Sequence, residues 1–281
     1  MSVLTVKNLC KNYPKFHLKN VSFDLKEGAI TGFIGRNGAG KTTTLKSLLD
    51  FVHPDSGEIL FGGLSFREHE LEIKQNIGFV SGGIDYYPKK KLKSIAQVNR
   101  RFYTGWDDET FRRYMERFEL DENKTPDELS AGMKVKFSLA LALSHNAKLL
   151  LLDEPTSGLD PVSRDNLLDI FLRLADTGEI TILFSTHITS DLEKCADDIL
   201  YLKEGELIGG GPMDAFLAQY KILHFDDPAQ LGDLYAKHIG EKRVRDGWTA
   251  LLRTADVPQG ADNVKDADLE SIMVHIEKEA W

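Results

Sequence analysis

The chain has 281 residues, long enough for one large α/β domain with something smaller attached. With 42% hydrophobic and 28% charged residues it has the composition of an ordinary globular protein, and its net charge of -9 argues against a nucleic-acid partner. No run approaches the roughly 20 apolar residues that cross a bilayer, and the start MSVLTVKNLCKNYPKF lacks a signal-peptide layout, so a cytoplasmic location is expected.

In chain order, residues 3–9 and 21–25 alternate apolar and polar side chains, which predicts half-buried strands of an antiparallel sheet. AITGFIG (29–35) is a short apolar run ending in glycine, and helix-forming TTTLKSLLDFV follows it. Strand, glycine loop and helix make half a βαβ unit. From about 92 to 120 the pattern changes. Phe111, Tyr114, Met115 and Phe118 recur at i, i+3, i+4 and i+7, an amphipathic stripe, and WDDETF supplies acids suited to a helix start. A helical subdomain, about 85–145, is therefore expected inside the α/β core. LLLLD (149–153) and ITILFSTH (180–187) are apolar as buried parallel strands are, with DNLLDIFLRLAD as a crossover helix between them. Beyond Met213, YKILHF, a helix-like AQLGDLYAKHI, VRDGWTALLRTA and a closing helix at 269–279 predict a small α+β appendage. The domains are thus read as 1–215 and 216–281, divided near the GGGP turn (209–212). Cys10 and Cys195 have no paired spacing and read as small apolar fillers.

GRNGAGKT, Gly35 to Thr42, fits G-x-x-x-x-G-K-[ST] in full. Gly35, Gly38 and Gly40 let successive N–H groups turn inward as a nest for phosphate oxygens. Lys41 places a cation between the β- and γ-phosphates, and the Thr42 hydroxyl is a hard oxygen suited to Mg2+. The helix that begins there adds its positive end. Asn37, Ala39 and Thr43 complete the candidate nucleotide-binding segment. At the end of LLLLD, Asp153 is the candidate Mg2+ ligand and Glu154 the candidate general base for an attacking water. His187 closes the other apolar strand; a lone histidine after a strand is more often structural, but here its ring would sit beside the γ-phosphate, where it can hydrogen-bond phosphate or water.

The order GRNGAGKT, LSAGM (129–133), LLLLDEPTSGLD (149–160) and STH (185–187) resembles the nucleotide-binding domain of ATP-binding-cassette (ABC) transporters over roughly residues 1–215. That resemblance implies a P-loop ABC cassette: a mixed sheet core, an antiparallel β subdomain and an inserted helical subdomain, here with the small C-terminal α+β appendage. It implies ATP as the nucleotide and Mg2+ as the metal, with ATP hydrolysis powering a membrane transporter. Tyr13 resembles the aromatic that stacks on adenine, Asp153 and Glu154 the magnesium aspartate and catalytic glutamate, and His187 the switch histidine. Asp160 closes a loop like the one by which two cassettes communicate. Ser130 and Gly132 resemble signature residues that grip the γ-phosphate of ATP bound to a second ATP-binding subunit, which implies an ATP-sandwich dimer, homodimeric or with a sister cassette. The implied partner is an integral-membrane permease subunit, with the chain peripheral on the inner face of the membrane.

Two positions depart from the family pattern. Met133 stands where a polar residue is usual. In IGFVSGGIDYYP (77–88), Gly82 or Gly83 takes the place of a glutamine that serves magnesium and coupling, leaving water or Asp85 to fill in. The following PKKKLK (88–93) reads as a solvated charge run or as a contact to the permease or to anionic lipid. Within the family, the bacterial exporter branch for drugs, antibiotics or peptides is the nearest likeness. Soluble cassettes of translation or DNA repair and a weakly hydrolysing regulatory module are the alternatives; no second cassette or long insertion is visible, and the intact Glu154 argues against the module.

Overall fold

The computed structural model describes residues 2–81, 87–261 and 263–278; Gly82, Gly83 and Asp85, on which the magnesium expectation turned, lie outside them. The chain divides into two compact units, 1–208 and 209–281.

In the first unit, β1 (Ser2–Tyr13) and β2 (Phe16–Lys26) form an antiparallel hairpin. Their alternation buries Leu4, Val6 and Leu9 against Leu18, Val21, Phe23 and Leu25. Next come β3 (Ile30–Ile34) and α1 (Lys41–Leu48), then β4 (Ser56–Phe61) and β5 (Leu64–Ser65), which widen the hairpin into a sheet of order β2-β1-β4-β5. After α2 (Phe66–Gln75) and β6 (Ile77–Ser81) the chain enters three helices, α3 (Leu92–Arg100), α4 (Asp108–Arg117) and α5 (Ala131–Ser144). Asp107 caps α4 by accepting from the Glu109 and Thr110 amides. The stripe seen in the sequence points inward: Phe111 and Met115 are buried, and Phe111 meets Phe137 of α5 edge to face.

The chain returns through β7 (Leu149–Asp153), α6 (Pro161–Ala175), β8 (Thr181–Thr186), α7 (Thr189–Cys195), β9 (Asp198–Lys203) and β10 (Glu206–Pro212). The second sheet has the order β10-β9-β3-β8-β7-β6, parallel from β9 through β6. Every residue of β3, β7 and β8 is buried, which accounts for their largely apolar sequence, the polar residues standing mostly at the strand ends. Ile34 pairs with Thr186 and Asp153 with Ser185, so these three strands end level. Cys195 is buried, and burial pushes its thiol up to about 12. No helix among the described residues is long and apolar enough to cross a membrane.

The second unit holds α8 (Met213–Leu217), β11 (Tyr220–Phe225), β12 (Ile239–Val244), β13 (Gly247–Arg253), β14 (Val264–Asp266) and α9 (Leu269–Lys278), with an antiparallel sheet of order β12-β13-β11-β14. The helix-like AQLGDLYAKHI is not an α-helix. It lies in 3-10 turns over Pro228–Ala236, broken where Gly232 takes φ 48 and ψ -122. The glycine supplies a backbone conformation that no helical residue can, so periodicity misled there.

Buried His275 ties α9 to the sheet. Its Nδ1 donates to the Ser271 carbonyl at 2.7 Å, and its Nε2 lies 3.1 Å from the Thr249 hydroxyl. Burial pushes its imidazole below the usual histidine range. The fold therefore favours the neutral ring, whereas the unfolded chain takes up a proton near pH 6.5. This stability is complete above that pH and declines as pH falls below it. Backbone amides of α9 should exchange with solvent faster at about pH 5.5 than at about pH 7.5 after correction for intrinsic rates. His275→Gln should flatten that difference; an unchanged pH dependence would remove His275 as its source.

Candidate functional site

β3 delivers the chain into the glycine loop. A Cβ on Gly35 would lie 2.2 Å from the Leu202 carbonyl of β9, so only glycine fits there. Gly40 stands at the N-cap of α1 with φ 113, and no side chain caps that end. The first amides of α1 are therefore free to meet an anion, and no acidic residue in the first turn repels one. Ala39 is buried as the packing point of the loop, Asn37 and Thr42 are exposed, and Thr43 is half-buried.

The level strand ends bring the acids to this loop. Asp153 Oδ1 accepts from Thr42 Oγ1 at 3.1 Å and from Ser185 Oγ at 2.7 Å. The Glu154 amide donates to both the carbonyl and the hydroxyl of Ser185, each at 3.1 Å. Glu154 itself has φ 50, the left-handed region that few non-glycine residues occupy. Its carboxylate then reaches two ways: Oε1 lies 3.2 Å from Lys41 Nζ, and Oε2 lies 2.8 Å from His187 Nδ1. Lys41 is buried, and its ammonium also donates to the Gly35 carbonyl at 2.7 Å and that of Arg36 at 3.3 Å.

Lys41, Thr42, Asp153, Glu154 and His187 thus form one bonded cluster. Ser185, which bridges Asp153 and Glu154, belongs to it as well and was overlooked in the sequence; the only signal was its place in the STH run at a strand end. The remaining candidates lie apart from these bonds. Ser130 caps α5 by accepting from the Met133 amide, and Asp160 caps α6 by accepting from Val162 and Ser163. Hydrogen bonds, those to Ser163 first, hold the Asp160 carboxyl below the usual carboxylate range. Gly132 faces Leu159 and Ser163, so the LSAGM segment lies against the SGLD turn. Tyr13 pairs across the hairpin with Phe16, whose ring packs against Gly40, and the exposed Tyr13 ring carries Lys11 Nζ at 5.7 Å from its centroid.

No cluster of three or more His, Cys, Asp or Glu side chains suited to a metal occurs among the described residues. The hydroxyl of Thr42 and the carboxylate of Asp153, already joined, are two hard oxygens. That sparse set fits Mg2+, which keeps several waters and takes phosphate oxygens as further ligands.

Residues 18–157 match the family model described as ABC transporter. The chain is 34% identical over 203 residues to the ABC transporter ATP-binding protein YtrB of Bacillus subtilis, covering 72% of this chain and 69% of that one. It is 32% identical over 216 residues to the bacitracin transport ATP-binding protein BcrA of Bacillus licheniformis, covering 76% and 71%. Among solved structures, an ATP-binding subunit of an ABC transporter superposes with a TM-score of 0.69 at 26% identity, covering 76% of this chain and 91% of that one.

Ser185→Ala removes a donor from buried Asp153 and leaves its carboxylate partly unsatisfied. The expected loss is about 1–3 kcal/mol of stability, read as a lower denaturant midpoint at constant m-value. An unshifted midpoint would show that the bridge holds nothing.

Proposed function

The chain belongs to the ATP-binding-cassette ATPases of ABC transporters, and from that premise we propose that it hydrolyses ATP with Glu154 as general base and powers export through a membrane permease. The observation that carries this reading is the position of Glu154, poised between the phosphate-loop lysine and His187 at the edge where the glycine loop opens. A carboxylate there can take the proton of a water aimed at the γ-phosphate. His187, bonded to its other oxygen, orients it. Lys41 and the first amides of α1 bind the phosphates, and Asn37, Ala39 and Thr43 shape that loop. The exposed Tyr13 ring is offered to adenine.

Thr42 and Asp153 are the residues that would hold Mg2+. When bound, the ion would supply charge neutralisation to the phosphates. The rest of the chemistry falls to the chain: Ser185 fixes Asp153 and the Glu154 backbone together, so the base and the metal ligand keep one spacing.

The LSAGM segment makes no bond with its own phosphate cluster. This supports a reading in which Ser130 and Gly132 serve ATP held by a second subunit, with Asp160 at the communicating turn. Residues 1–215 would be the nucleotide-binding domain and 216–281 an appendage. The dimer would sit on the inner face of the membrane against its permease, with the lysines at 89–91 near that contact. Export is favoured by the exporter-like motifs.

Losing a general base costs about 10²- to 10⁴-fold in rate. Glu154→Gln should therefore abolish turnover while leaving ATP binding intact, and Lys41→Ala should weaken binding of a non-hydrolysable analogue. A Glu154→Gln enzyme that keeps most of its activity defeats the assignment. With ATP and Mg2+ the same variant should form a dimer by light scattering, and adding Ser130→Arg should keep it monomeric.

A further inference from the structure

Three buried polar atoms next to the site have no hydrogen-bond partner among the described residues: Thr156 Oγ1, Arg164 Nε and Asp191 Oδ2. They come from the three segments that frame the cluster. Thr156 lies two residues after Glu154, Arg164 four after Asp160 and Asp191 four after His187. Asp191 is 1% exposed, and its Oδ1 stands 4.0 Å from Arg164 Nε, beyond hydrogen-bonding distance. Arg164 spends one Nη on the Leu159 carbonyl at 3.4 Å, a long bond within its own segment. Buried donors and acceptors left without pairing are costly, and Thr156 and Arg164 both act on the Asp191 carboxylate. Closing 4.0 Å to hydrogen-bond distance needs a shift of about 1 Å between α6 and α7.

We propose that Asp191 is a positioning residue for hydrolysis: by closing onto Arg164 and Thr156 it locks the 154–160 turn and the start of α6 to α7. Glu154 leads into the first of these segments and His187 into α7, so the closure fixes base and histidine against each other. The inference rests on the reading of Glu154 as the base. Burial raises the Asp191 carboxyl above its usual range, while Thr156, Arg164, Lys194 and His187 favour its charged form. A carboxylate that buried has reason to hold a cation, and Arg164 is the cation that faces it from α6.

Turnover of the full chain tests this. Asp191→Asn keeps the shape and removes the charge, and kcat should fall about 10- to 100-fold with KM for ATP nearly unchanged, as expected of a misplaced catalytic group. Asp191→Glu keeps the charge and reaches one methylene further, so it should retain at least about half of kcat. Because the residues act as one unit, Arg164→Ala with Asp191→Asn should cost no more than the worse single change. Should Asp191→Asn fail to fold, Thr156→Val carries the test, with a several-fold lower kcat expected. The proposal is overturned if Asp191→Asn leaves kcat within about two-fold, if Asp191→Glu is as poor as Asp191→Asn, or if the single losses multiply. Glu154→Gln, measured alongside, separates the two claims: if it stays active the base is misassigned, and if it is dead while Asp191→Asn is normal, only the lock fails.

Discussion

The cluster at the phosphate loop depends on one backbone register, Asp153 of β7 opposite Ser185 of β8, with Thr186 in turn opposite Ile34 of β3. In a parallel sheet buried on both faces, no alternation of apolar and polar residues distinguishes one register from the next. Here the polar strand ends make the distinction. Ser185 spends its hydroxyl on Asp153 and its carbonyl on the Glu154 amide. A slip of one residue would take the Ser185 hydroxyl out of line with Asp153, to which it now donates at 2.7 Å. The same bonds that fix the register therefore assemble the site.

That assembly carries local costs. A non-glycine residue in the left-handed region costs on the order of 1 kcal/mol, and Glu154 sits there at φ 50. Its amide, bonded twice to Ser185, holds the turn in place. Lys41 is a second expense, an ammonium 5% exposed. Breaking a buried pair is far more damaging than never having made it, because the remaining charge stays desolvated. Two carbonyls of the loop share the lysine with Glu154, so its charge is spread over three acceptors. The loop and the acid strand thereby stabilise each other's unusual conformations.

Much of this was legible in the sequence, because the requirements are local. A loop that must turn amides inward needs glycines at fixed spacing, and buried parallel strands need unbroken apolar runs; both leave marks that survive without a structure. The two half-buried antiparallel strands and the α4 stripe were equally plain, since alternation and the 3.6-residue period each belong to one element. What was missed depends on partners far along the chain, while the one failed element was broken locally. Ser185 matters only because β8 lies beside β7. The helical period at AQLGDLYAKHI was present, but one residue, Gly232, left helical space and ended it. Arg164 and Asp191 are 27 residues apart and look like ordinary helix-surface charges until α6 and α7 are seen side by side.

Gly35 changes how substitutions in the loop ought to be understood. The side of Gly35 on which a Cβ would project is filled first by the backbone oxygen of Leu202, at 2.2 Å, with the Ala39 methyl behind it at 3.1 Å. An alanine there would push against a main-chain atom that no second substitution can trim, so it would displace β9 or the loop as a whole. Loss of nucleotide affinity in such a variant would report on a wall behind the loop rather than on a contact with phosphate. Intolerance to change and contact with ligand are separate properties at this position, and a mutational scan of GRNGAGKT that ranks residues by lost binding would fuse them.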